Sequence, residues 1–311
     1  MKVLANTNGI SQEDWRKIRN ESGVGGSEVS IIMGRSPWKS VLDLYKEKIG
    51  EKELEEVDND YVFWGKAIEP LLRKRFTVLT GKPVRQKHAI MYNPDDMPFM
   101  IADFDGIVTE PDGSKAILEI KTATQFKREE WMNGIPEYYV DQCMAYLAVS
   151  GYRKCYVICL IGGNEVVIRE VYRDEERIAE IREKVSEFWH CVQKRIEPSV
   201  DGSSATTSWL ADAYKDSNGQ TVELPEELLP VFDEYDSIVE EMDKLSLKKE
   251  EICNKFRNYL KNNEVGVVAG RKIKWKTVKS SRLNSKKLKE DNPQLYENYL
   301  CESQYRRLQI A

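Results

Sequence analysis

The residues best suited to chemistry lie in two short runs, Phe104-Asp105-Gly106-Ile107-Val108 and Ala116-Ile117-Leu118-Glu119-Ile120-Lys121. Each reads as a strand, and Pro111-Asp112-Gly113 between them is a tight turn, so the two form a β-hairpin. Strand side chains alternate faces, which sends Leu118 and Ile120 into a core and Glu119 and Lys121 the other way. Asp105 ends the partner strand at the level where it meets Glu119. Two carboxylates and one ammonium thus converge at a sheet edge. That set suits a hard cation such as Mg²⁺, which takes one or two carboxylates with waters and phosphate oxygens. An acid-x-Lys triplet occurs once in the chain, at Glu119-Ile120-Lys121, although 32% of the residues are charged. The competing reading is a surface hairpin with a salt bridge.

Other groups can join this site. Glu69 stands just before Pro70 within a helix expected over 61–79, and a carboxylate at such a bend would be a third acid at the metal. Asp103 shares a strand face with Asp105 and is a competing ligand. Gln142 and Tyr146 lie one helical turn apart on one face, where Gln142 can hold a water or a phosphate oxygen. Gly23-Val24-Gly25-Gly26-Ser27-Glu28 is a glycine-rich bend in which Ser27 is expected to cap a helix reaching Met33. Free backbone N–H groups, the Ser27 hydroxyl and nearby Arg19 form a phosphate pocket; a plain helix–turn–helix joint is the alternative. Lys272, Lys274 and Lys276 share one face of an expected hairpin (265–268 and 271–278), with Trp275 between them in sequence. That pattern suits a DNA backbone or, equally, an edge strand guarded by lysines.

The elements that must position these groups follow from caps and periodicity. Ser11 caps a helix to Asn20, and Ser40 caps another ended by Gly50. Strands are expected over 84–91, 98–103, 154–161 and 165–172, with helices near 127–133, 136–150 and 174–194. The order predicts a mixed sheet flanked by helices. The polar run from Asp201 marks a boundary, giving a domain over 1–200, a linker over 201–222 and an appendage over 223–311. Apolar residues at three-to-four spacing from Pro225 to Asn262 read as an amphipathic helix or helix pair of coiled-coil character.

Composition limits the alternatives. Net charge is −5, yet residues 266–289 hold nine Lys/Arg and no acid, so a local basic patch is available to a nucleic acid. The six cysteines never form C-x-x-C and read as thiols, not zinc ligands; two histidines leave Ser-His-Asp chemistry poorly supported. With no long apolar run and no signal peptide, a soluble intracellular protein with no membrane partner is expected.

The Asp105…Glu119-Ile120-Lys121 pattern resembles the core of the PD-(D/E)xK nuclease superfamily. Four further motifs are similar to the YqaJ-like viral recombinase and lambda exonuclease family: Gly25 through Trp38, Trp64-Gly65-Lys66-Ala67-Ile68-Glu69-Pro70, Phe104-Asp105-Gly106, and Gln142-Cys143-Met144-Ala145-Tyr146. The resemblance spans roughly residues 10–200. It implies an α/β (α+β), restriction-endonuclease-like fold with a C-terminal helical and β-hairpin appendage. It further implies that Asp105 and Glu119 bind Mg²⁺ with the Ile120 carbonyl, Mn²⁺ being able to substitute. Lys121 would orient and help deprotonate the attacking water, Glu69 would assist at the metal, and Gln142 would position the nucleophile or Lys121. Arg19 and Ser27 would hold a terminal 5′-phosphate, with Arg16 as an alternative to Arg19. The expected activity is 5′→3′ exonucleolysis of linear double-stranded DNA, leaving 3′ single strands for recombination by strand annealing. The expected partners are DNA ends and a single-strand annealing protein, the expected assembly a ring-shaped homotrimer, and the location the cytoplasm of a bacterial host. An endonuclease on the same core and a non-catalytic DNA-binding or assembly protein are the rival readings.

Overall fold

Side-chain caps fix where the N-terminal helices begin. The computed structural model describes residues 1–53, 59–301 and 304–310. After strand β1 (Lys2–Asn6), Ser11 Oγ accepts the Asp14 N–H at 3.0 Å and opens helix α1 (Gln12–Ser22). Strand β2 (Val24–Gly25) and helix α2 (Gly26–Ile32) follow. The expected Ser27 cap is not formed: Gly25 takes the N-cap position, α2 starts two residues earlier than that cap would give, and Glu28 reaches back to accept the Gly25 N–H at 2.7 Å. Ser40 opens α3 (Val41–Lys48) and Asn59 opens α4 (Asp60–Thr80), each accepting a backbone N–H at 3.0 Å. Helix α4 continues through Pro70 and stops at Gly81, whose φ of 70° is left-handed.

The strand expected over 84–91 divides between two sheets. Its first part, β3 (Val84–Arg85), pairs with β6 (Gly106–Thr109); its last part, β4 (Ala89–Tyr92), pairs with β1 and β5 (Met100–Ala102). Strand β7 (Lys115–Ala123) returns from β6 through the expected turn, with Gly113 at φ 83°. Then come α5 (Arg128–Asn133), α6 (Glu137–Ser150), β8 (Lys154–Ile161), β9 (Glu165–Tyr172), α7 (Glu175–Lys194) and α8 (Ser204–Ala213). The sheets run β1-β4-β5-β2 and β3-β6-β7-β8-β9. In the second, β7 and β8 are parallel and the other neighbours antiparallel. This is the mixed, helix-flanked sheet the element order predicts. The acidic strand is not at its edge, however: β7 is the third of five strands.

Both faces of β7 are covered, which alternation alone did not reveal. Leu118 and Ile120 pack with Leu72 and Phe76 of α4, while Ile117 on the opposite face joins Cys155, Val157 and the buried residues of α6. Helix α6 is buried without a break from Asp141 to Val149, so it shows no clean amphipathic stripe. It is the floor on which the site is built.

The stretch 201–222, expected as a linker, contains α8. Ser203 caps it, and Lys46 of α3 sits 4.6 Å from the Trp209 ring. The chain separates into two compact units, Met1–Lys215 and Asp216–Ala311. The second contains α9 (Leu229–Leu260), β10 (Val265–Val268), β11 (Arg271–Lys274), α10 (Ser285–Asp291) and α11 (Pro293–Asn298). Strands β10 and β11 form a hairpin over Ala269 and Gly270, both at positive φ. Strand β11 stops at Lys274, short of the expected Val278, so Lys276 follows the strand and is not part of it. Among the described residues no helix is long and apolar enough to cross a membrane.

Candidate active site

Pairing between β6 and β7 ends at Gly106 opposite Leu118. The next N–H on that side of β7, from Ile120, donates to Asp105 Oδ2 at 2.7 Å. Asp105 therefore lies just before β6, and its side chain takes over where the partner strand stops. Alternation places Glu119 and Lys121 toward α6. Glu119 is 2% exposed. Its Oε1 accepts from Lys121 Nζ at 2.6 Å and from Gln142 Nε2 at 2.7 Å, while Gln142 Oε1 accepts from Lys121 Nζ at 3.0 Å. The three side chains close a triangle. Gln142 Nε2 also donates to the Tyr146 hydroxyl at 2.9 Å, and the Tyr139 ring lies 4.5 Å from Lys121 Nζ.

The other oxygen of Glu119, Oε2, is buried with no hydrogen-bond partner. Leaving such a group unsatisfied costs about 1–3 kcal/mol, and more when it is charged. Burial and then the charges of Glu119 and Glu69 push the Asp105 carboxyl well above the ordinary carboxylate range, against the pull of Lys121 and the Ile120 N–H. Burial alone would lower Lys121, yet Glu119 beside it holds the ammonium above its usual value. An orphaned carboxylate oxygen next to a second acid that resists ionising is a donor set short of positive charge. It fits a divalent cation held by Asp105 and Glu119.

The third acid is engaged elsewhere. Glu69 forms an ion pair with Arg73 one turn along α4, and Arg73 Nε donates to the Asp105 carbonyl at 2.8 Å. Burial raises the Glu69 carboxyl while Arg73 opposes it. Among the described residues no group of three or more His, Cys, Asp or Glu side chains is gathered to hold a metal. Glu69 thus reaches the acidic pair through Arg73. Asp103, the competing ligand, accepts the Trp15 indole N–H at 2.8 Å.

Arg19 and Ser27 meet as expected: Arg19 Nη2 donates to Ser27 Oγ at 2.9 Å, and the guanidinium lies 4.5 Å over the Trp15 ring. They share one cleft, about 550 Å³ in volume, with Glu69, Asp105, Glu119, Ile120, Lys121 and Gln142. Arg16 turns to the Gln12 carbonyl of its own helix and does not line the cleft. A side chain at Gly25 would collide with the Arg19 guanidinium, and one at Gly26 with the Tyr146 ring. Two adjacent glycines therefore let the Arg19–Ser27 corner and α6 close on each other. Behind them Glu28 pairs with Lys48 at 2.9 Å; burial works against its charge, but Lys48 and Arg19 keep its carboxyl below the usual value. Lys272, Lys274 and Lys276 are exposed and belong to the second unit.

Three contributors escaped the sequence reading: Tyr139, Trp15 and Arg73. Tyr139 and Arg73 carried a signal, since they stand three residues before Gln142 and four after Glu69 on the same helix faces. Trp15 carried none, because its partner Asp103 is 88 residues away.

A model of the YqaJ-like viral recombinase domain matches residues 14–153. Over 314 residues the chain is 35% identical to the uncharacterized protein YqaJ of Bacillus subtilis (strain 168), covering 99% of this chain and 97% of that one. The chain belongs to the YqaJ-like family. The fold is also similar to the crystal structure of the alkaline exonuclease LHK-Exo from Laribacter hongkongensis, with a TM-score of 0.51 and 24% identity over 60% of this chain and 95% of that one. The complex of LHK-Exo with dAMP matches with the same TM-score and coverage at 25% identity. Members of the YqaJ-like family thus share with this chain the segment that carries Arg19, Ser27, Glu69, Asp105, Glu119, Lys121 and Gln142.

Proposed function

We propose that this chain is a divalent-metal-dependent deoxyribonuclease. It digests linear double-stranded DNA 5′→3′ and leaves 3′ single strands for recombination by strand annealing. The observation that carries this reading is the Glu119 carboxylate, with one oxygen fixed by Lys121 and Gln142 and the other buried and unpartnered, in a cleft that Asp105 also lines. Membership of a viral recombinase family and similarity to an exonuclease that binds dAMP support it.

Asp105 and Glu119, with the Ile120 carbonyl, would hold Mg²⁺ or Mn²⁺, which supplies Lewis-acid charge and an acidified water. The chain's own groups do the rest. The Lys121 ammonium, kept charged by Glu119, stabilises negative charge as it grows on the scissile phosphate. Its part in deprotonating water then requires that the Glu119 charge be compensated. Gln142 holds Glu119 and Lys121 in register, and Arg73 ties Glu69 to the Asp105 backbone. Arg19 and Ser27 grip a terminal 5′-phosphate. That grip sets polarity, since it brings a terminal phosphodiester, not an internal one, to the acids. By family likeness the enzyme is a ring-shaped trimer in the bacterial cytoplasm and passes its product to an annealing protein, while Lys272, Lys274 and Lys276 add backbone contacts.

Digestion of linear duplex with Mg²⁺, set beside closed circular DNA and chelator controls, tests the reading. Rapid loss of the linear duplex alone, faster from 5′-phosphorylated than from dephosphorylated ends, is the expected result. Cleavage of circles would make the enzyme an endonuclease, and binding without digestion would make it a non-catalytic partner.

A further inference from the structure

Helix α9 carries an apolar stripe that its own unit does not cover. Of its 32 residues only Leu260 is buried. Tyr235, Ile238, Met242, Leu245 and Ile252 are 40% to 64% exposed. From Val231 to Phe256 the stripe advances in alternating steps of four and three residues, the seam of a coiled coil. The helix is about 48 Å long, and the seam from Val231 to Phe256 runs for about 39 Å of it. Charge along it is segregated: residues 229–243 hold six acids and no cation, whereas 244–260 hold five cations and two acids.

We propose that this seam is the contact face for α9 of a second copy of the chain, the two helices lying antiparallel about a twofold axis near Asp243 and Lys244. In that register Met242 faces Leu245, Tyr235 faces Ile252, and Val231 faces Phe256, each contact made twice by symmetry. The positions flanking the seam on one side are Glu234, Glu241, Lys248 and Lys255. Antiparallel pairing sets Glu241 against Lys248 and Glu234 against Lys255, so every contact on that flank joins opposite charges, while the other flank, Phe232, Val239, Ser246 and Cys253, is uncharged. Lys249 interrupts the seam. Antiparallel, its stem lies on Ile238 and its ammonium reaches the acidic half of the partner helix. A parallel pair would bury Lys249 against Lys249 and set the acidic half against itself. Charge complementarity therefore selects both the occupant and its direction. The inference concerns the second unit and is independent of the nuclease reading.

Sedimentation equilibrium of the full-length chain tests it. The variants E234K/E241K and K248E/K255E, all at exposed positions, should each halve the mass of the assembly whatever the first unit forms, with helix content unchanged by circular dichroism. Mixing the two variants should restore the mass. Carbodiimide coupling of isotopically labelled with unlabelled wild-type chains should join Glu241 to Lys248, or Glu234 to Lys255, in mixed-isotope pairs. An unchanged mass in both variants overturns the proposal. So do links confined to a single chain, or links from α9 to residues 1–215, which would show the first unit covering the seam.

Discussion

Glu119 presents two unlike oxygens. Oε1 takes donors from Lys121 and Gln142, and Oε2 takes none. Glu119→Gln keeps the shape and removes the charge, so digestion should fall at least about 100-fold with DNA binding retained, as measured by single-turnover assay and gel shift. Gln142→Leu leaves the acids in place but frees Lys121 and Glu119 to move. A loss of about 10–100-fold is expected there, with a weaker apparent affinity for Mg²⁺. A different acid bears on stability. Burial works against the Glu110 carboxylate, but Lys82, Tyr156 and Lys154 hold its pKa down to about 2. A depressed acid stabilises the fold above its unfolded pKa, and that contribution is lost as pH falls from about 4.5 toward about 2. Glu110→Gln should therefore flatten the acid limb of a stability–pH curve obtained by urea unfolding, and leave activity at neutral pH intact.

At the scale of elements, the paired glycines at the start of α2 govern how closely α1 and α6 approach. Gly26→Ala forces the Tyr146 ring aside, which should destabilise the protein by about 1–3 kcal/mol and reduce activity through Gln142. Phe76, fully buried between α4 and the sheet, should cost about 3–5 kcal/mol on replacement by alanine, read from denaturant melts. Caps and turns were legible because their physics is local: Ser11, Ser40, Gly81 and Gly113 act within a few residues of chain. The position of β7 inside the sheet was not, since it depends on β8, which starts 39 residues after β7 begins. The same distance effect hid the split of 84–91. A continuous apolar run says that a strand exists but not which sheet receives it. In the candidate site, the approach of Asp105, Glu119 and Lys121 was legible because the three sit on one hairpin, whereas Glu69 needed Arg73 to show that its charge is already taken.

For the whole molecule, the division after Lys215 separates the cleft from the basic hairpin and the long helix. The first unit has its own core and every residue proposed to act on the scissile phosphate, so the chain truncated after Lys215 should still cleave short duplexes. Its loss should appear in retention on long DNA and in assembly mass, checked by processivity and sedimentation. One contact reaches beyond catalysis. Because the Ile120 amide is held by a carboxylate instead of a neighbouring strand, its proton is a built-in reporter. Asp105→Ala would let that amide exchange with deuterium quickly while Leu118, still paired with β6, stays protected. Binding of a cation to Asp105 could then be followed on a single backbone signal, with no DNA present.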